Sequence, residues 1–126
     1  MTPDELSDRL MDMSVRVGKV VDALPRTRLG RHVAGQLVRC GTASGPNYEE
    51  SRSAESPRDF IHKLAISLKE LRETRYWLRL ISRADLLPEQ RLNQLIEECS
   101  ELTRILASSV ATARKRTKQS KSDNLQ

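Results

Sequence analysis

The chain has 126 residues, 31% of them charged and only 3% aromatic, with a formal net charge of +5. That length suits one domain, and the shortage of aromatic residues argues against a β-sandwich, whose short alternating strands draw on β-branched and aromatic side chains. No apolar run approaches the roughly 20 residues that a bilayer demands, and the polar, acidic start MTPDELSDRL is unlike a signal peptide, so a cytoplasmic protein is the default expectation.

The first helix is expected over residues 3–24. Thr2 is placed to cap it, Pro3 fits its first turn, and Asp4 and Glu5 complement the positive end of the helix dipole. Leu6, Leu10, Met13, Val17, Val20 and Leu24 alternate four and three residues apart, the spacing of a heptad seam, and Pro25 ends the run.

The second helix is expected over 28–52, with Leu29, Val33, Leu37 and Cys40 on its buried face. The stretch GTASGPNYEE after Cys40 has two readings. Gly41, Gly45 and Pro46 read locally as a loop. The other reading is one long helix kinked at Pro46 and resuming through Asn47 to about Arg52. Local propensity points to the loop; the need for a partner as long as the other three helices favours the kinked helix. In that case Ala34, Gly35, Gly41, Ala43, Ser44 and Gly45 let a neighbouring backbone come close.

The third helix is expected over 57–83. Ser56 is its cap, Pro57 suits the first helical position, and Asp59 lies in the first turn. Ile61, Leu64, Leu68, Leu71 and Leu78 recur at helical spacing, with no Gly or Pro before Ala84. Such a helix is about 40 Å long, and only helices of similar length can cover its apolar face. The fourth helix is expected over 88–115, starting at Pro88 and Glu89, with a seam of Leu92, Leu95, Cys99, Leu102, Leu106 and Ala113. From Thr117 the sequence is polar and aperiodic, so residues 117–126 read as a disordered basic tail. Four amphipathic helices with short connections predict an all-α, antiparallel up-down-up-down four-helix bundle over residues 1–116.

Signals for catalysis are poor. His32 and His62 are the only histidines, and there is no Glu-x-x-His pair of the kind di-iron bundles use. There is no phosphate-cradling Gly-rich loop after a strand and no nucleophile elbow. No cofactor, no metal and no enzymatic activity are expected. Cys40 and Cys99 form no CxxC pair and fall on apolar faces, as buried thiols do.

Two sets of polar residues stand out. Arg39, Glu70, Glu73 and Arg75 lie beside the seams of the second and third helices. They read either as a half-buried arginine–carboxylate network fixing the register of the two helices or as charges reaching out to solvent. The second set is basic: Arg26, Arg28, Arg31 and His32 at the corner between the first two helices, and Arg114, Lys115, Arg116, Lys118 and Lys121 near the C-terminus. Arginine forks suit phosphate oxygens. The plainer reading of Arg114, Lys115 and Arg116 is that they complement the dipole at the end of the last helix. Tyr48, Tyr76 and Trp77 are expected to be packed, leaving recognition to backbone charge or shape.

The central half of the chain resembles the bacterial four-helix-bundle proteins of the 23S rRNA intervening-sequence family. The residues that carry the resemblance are Leu24-Pro25, Gly30-Arg31-His32, Gln36-Leu37-Val38-Arg39-Cys40, Gly41-Thr42-Ala43-Ser44, Asn47-Tyr48-Glu49-Glu50, Ser56 to Phe60, and Lys69 to Leu78. Cys40 stands where Ser is commoner. The resemblance implies a bundle that assembles as a homopentamer and has no enzymatic activity. It also implies kinship with the accessory protein of diversity-generating retroelements, which binds nucleic acid and works with a reverse transcriptase. Two functions are therefore expected in competition. One is a homo-oligomeric protein binding nucleic acid, RNA before DNA, through Arg26, Arg28, Arg31, Arg114, Lys115, Arg116 and Lys118. The other is an interaction scaffold or an accessory subunit of an enzyme such as a reverse transcriptase. Val15, Val21, Ile66, Leu80 and Ile105 are the apolar residues left for subunit contacts.

Overall fold

The computed structural model describes residues 1–125, and those residues form helices and no strand. Helix α1 spans Pro3–Ala23. Thr2 caps it reciprocally: its hydroxyl accepts the Glu5 N–H at 3.1 Å, and the Glu5 carboxylate accepts the Thr2 N–H at 3.3 Å. The heptad seam lies inward, with Leu10, Met13 and Val17 fully buried.

Helix α2 spans Arg28–Gly41 and α3 spans Ser44–Arg52. Together they make the second rod expected over 28–52, but the break falls at Thr42–Ala43 and not at Pro46. A proline ring clashes with the carbonyl four residues before it, and for Pro46 that residue is Thr42. Pro46 itself sits in the first turn of α3, where a missing N–H costs nothing. The Thr42 hydroxyl closes the end of α2 by donating to the Val38 carbonyl at 2.6 Å.

Close approach is confined to part of the small-residue run. A Cβ on Gly41 would lie 2.5 Å from Val17 Cγ1 in the core. Ser67 on the next helix donates to the Ser44 carbonyl at 2.7 Å. Gly35 faces outward, with nothing within 4 Å of where its Cβ would be.

Helix α4 spans Pro57–Arg83, capped by the Ser56 hydroxyl, which accepts the Asp59 N–H at 3.0 Å. Asp85, at φ 55°, turns the chain after it. Pro88 leads into a 3-10 turn at Glu89–Arg91, and α5 spans Asn93–Asn124. The expected end of the last helix near 115, with a disordered tail from Thr117, is corrected here: α5 continues nine residues further. The seam Leu106, Val110, Ala113, Thr117 keeps its four-three-four spacing, and Ala113 and Thr117 are half-buried. Both line a shallow groove with Pro57, Phe60 and Ile61 of α4, and no Gly or Pro interrupts the helix.

Helix α4 packs on α5 and on α2 and α3; α1 packs on α2, α3 and α5. The ring closes as an antiparallel up-down-up-down bundle in which α1 and α4 are diagonal. Its centre is one cluster of leucine, isoleucine, valine and methionine, with Cys40 and Cys99 buried among them. The Cys99 thiol donates to the Leu71 carbonyl at 3.3 Å.

Two predictions concern this core. Gly35→Ala should stabilise the protein by about 0.5–1 kcal/mol, the usual gain for replacing glycine inside a helix, whereas Gly41→Ala should cost about 1–3 kcal/mol through overpacking against Val17; denaturant unfolding of both variants checks the contrast. Burial pushes the Cys40 thiol from its ordinary 9.0 up to about 11 and the Cys99 thiol up to about 12. Groups raised in this way stabilise the fold fully below pH 9.0, and the contribution is lost as pH climbs through 11 to 12, because the unfolded chain ionises first. The unfolding midpoint should therefore fall across that window more steeply in the wild type than in Cys99→Ala. Neither thiol should react with a thiol reagent at neutral pH until denaturant is added.

Candidate nucleic-acid interface

The corner between α1 and α2 is tight for an identifiable reason. A Cβ on Gly30 would lie 2.0 Å from the Pro25 carbonyl oxygen, so only glycine lets the turn fold back on itself. The Thr27 hydroxyl caps α2 by accepting the Gly30 N–H at 3.0 Å. Buried Leu24 anchors the turn below, and Arg26, Arg28 and Arg31 stand out from it, all exposed. His32 meets Trp77 of α4 edge-on, with ring centroids 5.8 Å apart, so the corner is tied to the C-terminal half of α4.

Arg114, Lys115, Arg116 and Lys118 are also exposed. Because α5 continues to Asn124, Arg114, Lys115 and Arg116 lie more than a turn from its end. Complementing the helix dipole therefore falls to Lys121, the basic residue of the last turn. Arg114, Lys115, Lys118 and Lys121 border a shallow groove floored by Ile61 at the start of α4. The antiparallel order keeps the two basic sets apart. The α1–α2 corner lies at the end where α4 finishes, and the α5 set lies where α4 begins. Among the described residues, none of the seven predicted contacts, three at the corner and four on α5, is in an ion pair.

The 23S rRNA-intervening sequence protein family matches this chain over residues 5–108. The chain belongs to that family. A similar fold is seen in the crystal structure of a protein of unknown function from the S23 ribosomal protein family of Bacteroides thetaiotaomicron. It is 30% identical, with a TM-score of 0.77 over 83% of this chain and 97% of the other. No curated protein sequence matches. In this member of the family, no group of three or more His, Cys, Asp or Glu side chains among the described residues could hold a metal ion, and no helix is long and apolar enough to cross a membrane.

The predicted polar network forms in part. Arg39 on α2 reaches Glu70 at 3.2 Å and also bonds Glu73, both on α4. Glu70 is 9% exposed, whereas the Arg39 side chain is 52% exposed. Both readings of Arg39 therefore hold at once: it reaches toward water while covering a carboxylate that α4 has taken out of water. Arg75 is a correction. It lies two residues past Glu73, on another face of α4, and its Nε donates to the Ser100 hydroxyl of α5 at 2.8 Å. Tyr76 is a second correction: expected to be packed, it is 57% exposed.

Several cross-helix contacts were not among those expected from the sequence. Arg9 of α1 bonds Glu98 of α5, with Nε to carboxylate at 3.1 Å, and reaches Glu101 at 3.3 Å. Arg52 meets Asp4 at 2.7 Å. The Ser14 hydroxyl donates to the Gly41 carbonyl at 2.7 Å. Arg9 and Glu98 each sit one residue before a seam position, where charges of opposite sign meet across neighbouring helices. Matching such flanking positions between helices would have found this pair.

Arg39→Leu should lower the thermal midpoint, because it strands the Glu70 carboxylate beside the core. Adding Glu70→Leu should recover most of the loss, and a double-mutant cycle on the two sites measures the coupling.

Proposed function

We propose that this protein is a non-catalytic, cytoplasmic, homo-oligomeric bundle that binds nucleic acid through the basic residues at its two ends. One observation carries the reading: the distribution of partners among its charges. Carboxylates along the sides of the bundle are taken up by Arg9, Arg39, Arg52 and Lys63. Arg26, Arg28 and Arg31 at one end, and Arg114, Lys115, Arg116 and Lys118 at the other, stand exposed without such partners among the described residues. A chain of net charge +5 with clusters of unpaired cations at both ends presents concentrated positive potential there to a polyanion. The association of its family with 23S rRNA genes makes RNA the first polymer to test.

The assembly proposed is a homopentamer, which would bring five copies of each cluster together and add weak contacts by avidity. Exposed Met11 and Val15, four residues apart on one face of α1, are apolar surface suited to contact between copies. The same α1 face supports a second reading, an accessory subunit docked on a reverse transcriptase or another nucleic-acid enzyme.

The test is fluorescence anisotropy with labelled structured RNA, duplex DNA and single-stranded DNA over a range of salt, alongside light scattering for subunit number. The triple variant Arg26→Glu, Arg28→Glu, Arg31→Glu should weaken binding and flatten the salt slope by about 0.7–0.9 for each phosphate that the variant no longer neutralises. Equal binding by wild type and triple variant would remove the corner from the interface. No binding by the wild type at low salt would leave the accessory-subunit reading.

A further inference from the structure

Arg72, Arg75, Arg79 and Arg83 are spaced three, four and four residues apart on α4. That spacing puts them along one face of a helix, over about 16 Å. At Arg72 and Arg75 that face borders α5. Arg72, Arg75 and Arg104 border a groove between the two helices, floored by Ser100 and Thr103, with Arg75 Nε fixed on the Ser100 hydroxyl at 2.8 Å. Nearer the end of α4, Tyr76, Arg79, Leu80, Arg83 and Ala84 line a second cleft of about 320 Å³. No carboxylate lines either cleft, and none of these arginines is in an ion pair among the described residues.

Tyr76 stands in the middle of this strip. Its ring is 57% exposed, yet it is held in place by Trp77, which meets it edge-on with centroids 5.1 Å apart. Trp77 is braced in turn by His32 of the α1–α2 corner. An aromatic ring already fixed by its neighbours loses little freedom when something stacks on it. Guanidinium groups on either side of an exposed ring are the combination by which proteins hold a nucleic-acid strand with unpaired bases: the cations follow the phosphates and the ring takes a base. A duplex keeps its base faces inside the stack, so it would gain from the arginines but not from Tyr76.

We infer that the Arg72–Arg83 strip of α4, with Tyr76 at its centre and Arg104 of α5 opposite, is a binding track for single-stranded nucleic acid. This rests on the nucleic-acid reading above and specifies it, adding a stacking residue to what was expected to be recognition by charge alone. The track continues the α1–α2 corner set through the His32–Trp77–Tyr76 contacts and leaves the α5 set at the far end. A second copy of this chain is the competing occupant. It could bring carboxylates such as exposed Asp8 and Asp12 of α1 to the strip but has no base to stack on Tyr76, so subunit number and the Tyr76 variants separate the two occupants.

The test uses the full chain with a labelled unstructured pyrimidine strand, as DNA and as RNA, and a duplex of equal length. Three variants probe the track: Tyr76→Ala, Tyr76→Phe, and the pair Arg79→Glu with Arg83→Glu. Lys19→Glu on the diagonal helix α1 is the charge control. Tyr76→Ala should weaken single-strand binding about five- to a hundredfold, leave the salt slope unchanged, and barely affect the duplex. Tyr76→Phe should stay within about twofold of wild type, since stacking needs only the ring. The arginine pair should weaken binding at least about tenfold and reduce the salt slope by about 1.4, that is, by two single-strand phosphates.

Tyr76→Ala binding like wild type overturns the stacking site, and the arginine pair binding like Lys19→Glu overturns the track. Unchanged affinity with a changed subunit number would assign the strip to contacts between copies instead. A wild type that binds structured RNA or duplex but not the single strand overturns the track alone. A wild type that binds none of these polymers fails the parent reading as well.

Discussion

A helix of 27 residues with a single apolar face cannot be covered by anything short. Helix α4 packs on α2, α3 and α5, and α1 closes the ring diagonally opposite. The requirement for a long partner on each side accounts for the least regular part of the chain. The sequence GTASGPNYEE breaks the helix at Thr42–Ala43, yet α3 resumes on the far side, because the length of α4 beyond Ser67 toward its start would otherwise lie bare. The break itself is tightened by contacts available only to small residues. Val17 occupies the space a Gly41 side chain would need, and the Ser44 carbonyl accepts the Ser67 hydroxyl. Tertiary demand thus overrides local propensity at one place, and the small side chains there allow it.

Charge, too, is arranged by what the helices bring side by side. All but one of the acidic residues that pair do so across helix boundaries: Glu98 and Glu101 with Arg9, Glu70 and Glu73 with Arg39, Asp4 with Arg52, and Glu50 with Lys63, the exception being Glu49 with Arg52 inside α3. Exposed pairs of this kind contribute little to stability individually. Their larger effect is on what remains: carboxylates are drawn to the seams, and the ends of the bundle and the α4–α5 groove keep unpaired arginine and lysine. A modest net charge becomes a strongly uneven surface.

Much of the fold was legible because its signals are local. The Thr2 and Ser56 caps, the prolines at helix starts, and the four-three seams each depend on a few neighbouring residues, and the observed boundaries of α1 and α4 follow them closely. Three of the misreadings share one cause, dependence on a distant partner. Thr117 looks like the start of a polar tail until Pro57, Phe60 and Ile61 are seen beside it. Arg75 lies close to Glu73 in sequence but faces another helix. The exposure of Tyr76 cannot be read from an aromatic pair, because Tyr76-Trp77 must put one ring nearer the core, and only the packing against His32 tells which. The basic clusters were visible as composition; that they occupy opposite ends of the molecule follows only from the topology.

The continuation of α5 divides that helix into two thermodynamic parts. As far as Thr117 the seam still touches α4, whereas from Lys118 to Asn124 every residue is exposed. The last two turns bury no side chain, and a helix segment so short is marginal by itself. Amide hydrogens there exchange by fraying, while those flanking Cys99 and Leu102 wait for the whole bundle to open. A cation such as Lys121 is therefore presented on a segment able to unwind and rewind without disturbing the core, which gives its charge a reach that the rigid corner at Arg26 does not have.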